Sequence, residues 1–170
     1  GTSEQNIVFT SDAENPNLAD WESIVFMGDK SIVDNVLVEY SRNGLNPVGA
    51  QPNSIIKNSK VLHTLWGSIS ASNSGIQIIN NYLADAGHEG IDLAYKAPQI
   101  VRDNLIEDCH TGMYVYGESA AIIENNIVKN CGDGINVEES TTAKVSGNTY
   151  IPAPEDGTLE WRYGDYIIPL

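Results

Sequence analysis

Positive charge is scarce in this 170-residue chain: nine Lys and Arg stand against 23 Asp and Glu, a formal net charge of −14. Proteins that bind nucleic acid neutralise phosphates with clustered cations, so nucleic acid is not an expected partner. Only two cysteines occur, Cys109 and Cys131, too few for a disulfide framework and without the paired spacing of a structural zinc site. No apolar run approaches the ~20 residues of a membrane-spanning helix, so no membrane insertion is expected. Amphipathic stretches of ten or more residues at a 3.6-residue period are also absent, which excludes a helical repeat. At this length folding can bury roughly 70% of the unfolded chain's surface, enough for one apolar core without staples.

What the chain has in abundance is repetition. The phrases Ile78-Ile79-Asn80-Asn81-Tyr82-Leu83, Val101-Arg102-Asp103-Asn104-Leu105-Ile106 and Ile123-Glu124-Asn125-Asn126-Ile127-Val128 are versions of one another. Each precedes a Gly-led run: Gly90-Ile91-Asp92-Leu93, Gly112-Met113-Tyr114-Val115 and Gly134-Ile135-Asn136-Val137. Extended both ways, an Asn column reads Asn35, Asn58, Asn81, Asn104, Asn126 and Asn148, and a Gly column reads Gly44, Gly67, Gly90, Gly112 and Gly134. The period is about 22 residues, and the apolar runs between markers are short and rich in Ile and Val. Three short strands per period, each pairing in parallel with its counterpart in the next, make a solenoid. The expected fold is therefore all-β, a parallel β-helix of about six to seven coils over residues 1–150, with 151–170 as a C-terminal cap. Asn suits the corners because it tolerates the left-handed region, and stacked amides one coil apart can bond along the axis. The Gly column is expected to mark a turn into a strand whose Ile and Val positions point inward. The Ser68-Ile69-Ser70 stretch departs from that pattern and predicts a one-residue shift or local distortion. Residues 12–19, rich in Asn and Asp, predict a solvated loop.

The stretch Ile122–Val137 resembles the repeat of the pectate-lyase-like right-handed parallel β-helix superfamily, and the opening Asn6–Ser11 and Asp20–Phe26 resemble early coils of its cell-surface members. The resemblance covers residues 5 to 150. It implies the right-handed fold but no one activity, since the superfamily includes lyases, glycoside hydrolases, epimerases, sugar-binding modules and surface-layer pieces. Further coils of a longer chain, or a homo-oligomer, are expected to continue the open ends.

Candidate functional residues gather before and after the Gly column. His88 and His110 lie two before their Gly; Glu89, Thr111 and Asp133 lie one before; and Asp92, Tyr114 and Asn136 form an outward row with Tyr116 close by. On stacked coils these groups converge. In a catalytic reading His88, His110 and Asp133 supply acid–base groups. In a binding reading Asp92, Tyr114, Tyr116 and Asn136 stack on and hydrogen-bond a polysaccharide or other glycan. Ca²⁺ is the one cofactor suggested, through Glu89 and Glu138, because hard cations favour carboxylates. Polar side chains are also what solvated turns ordinarily carry. A lyase needs a cationic base that the scattered Lys and Arg do not supply here. Cys109 and Cys131, five after the Asn column and in line with Tyr40, His63 and Ala86, are expected as buried free thiols on adjacent coils. The expectation is an extracellular or cell-surface module, carbohydrate-binding or structural, with a lyase or glycoside hydrolase acting on an acidic polysaccharide as the alternative.

Overall fold

The computed structural model describes residues 1–49, 53–95 and 98–153. Among the described residues nineteen strands, numbered along the chain, fall into three parallel sheets. The first sheet holds β1 (Ile7–Phe9), β4 (Val36–Glu39), β7 (Lys60–Thr64), β10 (Tyr82–Ala86), β13 (Leu105–Glu107), β16 (Ile127–Lys129) and β19 (Thr149–Ile151). The second holds β2 (Ile24–Met27), β5 (Leu45–Val48), β8 (Ile69–Ser72), β11 (Glu89–Ala94), β14 (Thr111–Tyr116) and β17 (Asp133–Val137). The third holds β3 (Ile32–Asp34), β6 (Ile55–Lys57), β9 (Gln77–Ile79), β12 (Ile100–Arg102), β15 (Ile122–Glu124) and β18 (Lys144–Ser146). Each coil visits the three sheets in turn, so the chain winds through six turns and enters a seventh, as the repeat predicts. Residues 12–19 form an exposed loop without strands, also as expected. Of the expected cap, 151–170, Ile151 ends β19 and residues 154–170 lie outside the described residues.

Short strands leave one or two inward positions each, and these stack into columns. Val38, Val61, Leu83, Ile106 and Val128 share one column of the first sheet, and all are buried. In the third sheet the column is Ile56, Ile78, Val101 and Ile123. In the second, Leu45, Ile69, Ile91 and Met113 are stacked and fully buried. Each such side chain contributes roughly 1.5–3 kcal/mol of burial.

The Asn column is two rows rather than one. A corner row of Asn35, Asn58, Asn80, Asp103 and Asn125 adopts left-handed φ values between 51° and 59°. The next position along the chain, Asn81, Asn104 and Asn126, is buried, and its amides form a ladder. The Asn104 side-chain oxygen accepts from both the backbone N–H (2.9 Å) and the Nδ2 (3.0 Å) of Asn81. Asn126 does the same for Asn104, and Asn148 for Asn126. Asn104 Nδ2 in turn donates to the Ile78 carbonyl at 3.0 Å. In earlier coils the buried row continues through Ser59, whose Oγ accepts from the Val36 N–H. The expected column thus follows the corner at Asn35 and Asn58 and slips to the ladder from Asn81 onward. The second interval of the corner, from Asn58 to Asn80, is one residue shorter than the first, and the adjacent pair Asn80-Asn81 hides the slip.

The Gly column is corrected in the same way. Leu45 is level with Ile69, and Ile69 with Ile91, so Ser68 and not Gly67 stands between Gly44 and Gly90. The shift expected at Ser68 is present, and it keeps Ile69 and Ala71 inward. Gly90 and Gly112 are not turn residues but lie within β11 and β14. A Cβ on Gly90 would sit 2.4 Å from Ile106 Cγ2, and one on Gly112 would sit 2.3 Å from Val128 Cγ1. The small residue is required there by the opposite sheet's inward column.

The ladder predicts a stability ranking. Asn104→Ala strips acceptors from two buried donors of Asn81 and a donor from Ile78, and is expected to cost about 3 kcal/mol. Asn125→Ala, at an exposed left-handed corner, is expected to cost about 1 kcal/mol. Urea denaturation of both variants measures the difference; equal losses would show that the buried row does not carry the load.

Candidate functional site

The outward face of the second sheet carries a cleft of about 550 Å³, lined by Arg42, Asn43, Trp66, Gly67, Ser70, His88, Glu89, Asp92, Tyr114 and Tyr116. Register explains its composition. Asp92 is level with Ser70 on one side and Tyr114 on the other, so three successive coils put one outward side chain each along the same line. The edge of the cleft is a second line: the His88 ring stacks on His110 (5.5 Å between centroids, 20° between planes) and meets Trp66 at 5.3 Å. At the other edge Tyr116 stacks on Tyr114 at 4.9 Å and 22°, and Tyr95 tilts against Tyr116 at 6.3 Å.

The floor of the cleft is electrostatically tense. Burial, reinforced by the neighbouring Glu89 charge, pushes the Asp92 carboxyl up to about 7. The Tyr116 hydroxyl and His88 oppose that rise by favouring the carboxylate. Asp92 Oδ1 is buried and has no hydrogen-bond partner among the described residues. Glu89, whose side chain is only 13% exposed, is hydrogen-bonded to His88 Nδ1. That bond holds the His88 cation to higher pH than an ordinary imidazole. Burial and the Asp92 charge push the Tyr116 phenol up to about 12, so it remains a donor. Arg42 at the rim is exposed and pairs with Glu22 at 3.4 Å. Two carboxyl groups in different environments, one inclined to keep its proton and one paired with a cation, can divide acid and base roles or bind donors from a polar ligand.

The structure brings His88, Glu89, Asp92, Tyr114 and Tyr116 into this one cleft. His110 stacks beneath His88 and its Nδ1 lies 3.1 Å from Thr111 Oγ1. Asp133 is level with Thr111, and Asn136 with Tyr114, as the Gly column implies, but both are exposed one coil beyond and do not line the cleft. Glu138 accepts from the Tyr114 hydroxyl at 2.5 Å, which pushes the Tyr114 phenol up. Among the described residues no three His, Cys, Asp or Glu side chains converge on a point that could hold a metal. Glu89 is hydrogen-bonded to His88, and Glu138 to Tyr114.

Trp66, Ser70, Arg42 and Asn43 do not emerge from the sequence. Trp66 lies two before Ser68, as His88 lies two before Gly90, and the one-residue shift in that coil conceals the match. The dyad His63–Asp85 (2.6 Å), with Tyr40 stacked on His63 at 5.1 Å, also escapes sequence reading. All three residues belong to a second left-handed corner row, with φ of 59°, 54° and 57°. Cys109 and Cys131 are buried free thiols, as expected. Their row is Thr64 and Ala86, however, and not Tyr40 and His63, because Ala86 pairs with Thr64. Hydrogen bonding to Cys131 and complete burial keep the Cys109 thiol protonated.

Asp92 generates a pH prediction. Its folded carboxyl titrates at about 7 against an ordinary 3.8, so between those values the native state holds a proton that the unfolded chain has released. Asp92's contribution to stability is greatest in acid and is lost as pH rises through about 7. The difference corresponds to roughly 3–4 kcal/mol. Asp92→Asn, which cannot ionise, is expected to gain on the wild type by about that amount between pH ~4 and pH ~8 in urea denaturation. Parallel pH profiles for the two proteins would refute the assignment.

Comparison with known families agrees with this architecture. A family model described as "Right handed beta helix region" matches residues 23–168. No curated protein and no solved structure matches the chain. The match spans most of the sequence and includes the stacked strands from β2 to β19, and the chain belongs to the right-handed β-helix family.

Proposed function

We propose that this β-helix is a carbohydrate-binding module and that the cleft around Asp92 is its glycan site. The observation that carries the reading is the cleft's make-up: rings of Trp66, Tyr114 and Tyr116 border a floor where a buried carboxylate oxygen lacks a partner among the described residues. Aromatic faces pack against the apolar faces of pyranose rings, and a few fixed polar groups orient the hydroxyls. A hydroxyl donor from such a ligand would satisfy Asp92 Oδ1, which otherwise costs desolvation energy. A module of this kind works at the cell surface or in the extracellular medium, where polymeric glycans are met.

One observation favours a second reading, a glycoside hydrolase. Asp92 is inclined to keep its proton near neutrality, while Glu89 beside it is paired with His88. An acid and a base of this kind are the two groups that hydrolysis of a glycosidic bond requires.

A glycan array probed with the labelled protein, with and without Ca²⁺, tests the main reading. Binding is expected, and Tyr114→Ala should weaken it at least ~10-fold by removing the stacked ring pair. Unchanged affinity in that variant would exclude this face, and a silent array would leave a structural spacer. For the second reading, the glycans that bind should release new reducing ends, and Glu89→Gln should reduce that rate at least ~100-fold. Binding without release would eliminate the hydrolase.

A further inference from the structure

Resting on the glycan reading of the cleft, we infer that the ligand carries free amino groups: the site is built for an amino-sugar polymer and against an acidic one. Two independent features of the cleft point to a cation. The first is its walls. Trp66, Tyr114 and Tyr116 present ring systems around a single floor, and ring faces attract ammonium groups, most strongly where water is displaced. The second is its floor. Asp92 Oδ1 is buried without a donor, and Glu89, itself largely buried, lies close enough to resist Asp92's ionisation. An ammonium group between the two carboxyls relieves both conditions: it donates to the unpartnered oxygen and offsets the repulsion.

The cations already present do not fulfil that role. His88 is taken up by Glu89, and Arg42 stands at the rim, exposed and paired with Glu22. A uronate polymer would bring carboxylates to a floor that holds two acidic side chains, on a chain of net charge −14. The acidic polysaccharide that the sequence allows is therefore disfavoured, because its carboxylates cannot donate to Asp92 Oδ1 and are repelled by the chain's net charge.

The test uses three hexasaccharides: glucosamine hexamer, its fully N-acetylated counterpart, and hexagalacturonate, each titrated calorimetrically into the protein at ~pH 6.5 in 0.15 M salt. The glucosamine hexamer is expected to bind at least ~10-fold more tightly than the acetylated one, with hexagalacturonate weakest. Asp92→Asn should bring the first two within ~3-fold of each other. Because any polycation is drawn to an acidic protein, Asp12→Asn serves as a control. It removes a carboxylate from the exposed loop, which does not line the cleft, and should retain the preference. Equal losses in the two variants would assign the attraction to net charge and overturn the inference. Acetylated or uronate hexamer binding as tightly as the glucosamine hexamer would overturn it while leaving the glycan reading intact. If none of the three binds, the inference fails, and the array decides the broader reading: binding of other glycans there preserves it, and silence ends both.

Discussion

The constraint on which everything else depends is coil-to-coil register. Parallel ladders of backbone hydrogen bonds hold each strand level with its counterpart one turn away, at the ~4.8 Å spacing of paired strands. Every side chain therefore has a neighbour of fixed identity above and below, and each row along the axis must be compatible with itself. Apolar rows close the core, as Ile56, Ile78, Val101 and Ile123 do. A buried polar row is tolerable only if it bonds along its own length. The Asn81–Asn104–Asn126–Asn148 ladder meets that condition, because each amide oxygen accepts from the previous coil while each amide nitrogen finds a carbonyl.

On the outer face the same register produces the site. Residues some 22 apart in the chain become neighbours, so Ser70, Asp92 and Tyr114 form one line and Trp66, His88 and His110 another. Rings meet readily at this spacing, as Trp66, His88 and His110 do, whereas Tyr114 and Tyr116 stack within one strand. Burial, with the Glu89 charge close by on the same strand, raises the Asp92 carboxyl far above its ordinary range. Such a pair costs the fold desolvation energy.

Rows were easier to see in the sequence than their depth. The repeated phrases disclosed the solenoid, the three strands per coil, the inward Ile91, Leu93, Met113 and Val115, and the outward line of Asp92, Tyr114 and Asn136. Which of two adjacent Asn residues turns the corner and which is buried was not disclosed, since both Asn80 and Asn81 suit either task by composition. Constant spacing favoured the wrong continuation at two turns that depart from 23 residues, the one from Asn58 to Asn80, with 22, and the one from Gly44 to Ser68, with 24. The same single-residue ambiguity placed Gly67 where Ser68 stands and left Trp66 out of the site.

Local chemistry determined the architecture: alternating short apolar runs, turn-forming Asn and space-saving Gly recur at one period, and only stacked parallel coils satisfy them all together. Tertiary structure alone decided which side chains share a cleft, how deeply Asp92 sinks beside Glu89, and that one of its oxygens is left without a donor. Those properties depend on register and on exclusion of water by residues from several coils, and a shift of one residue in a single turn, invisible as a change in composition, moves a side chain from the surface to the core.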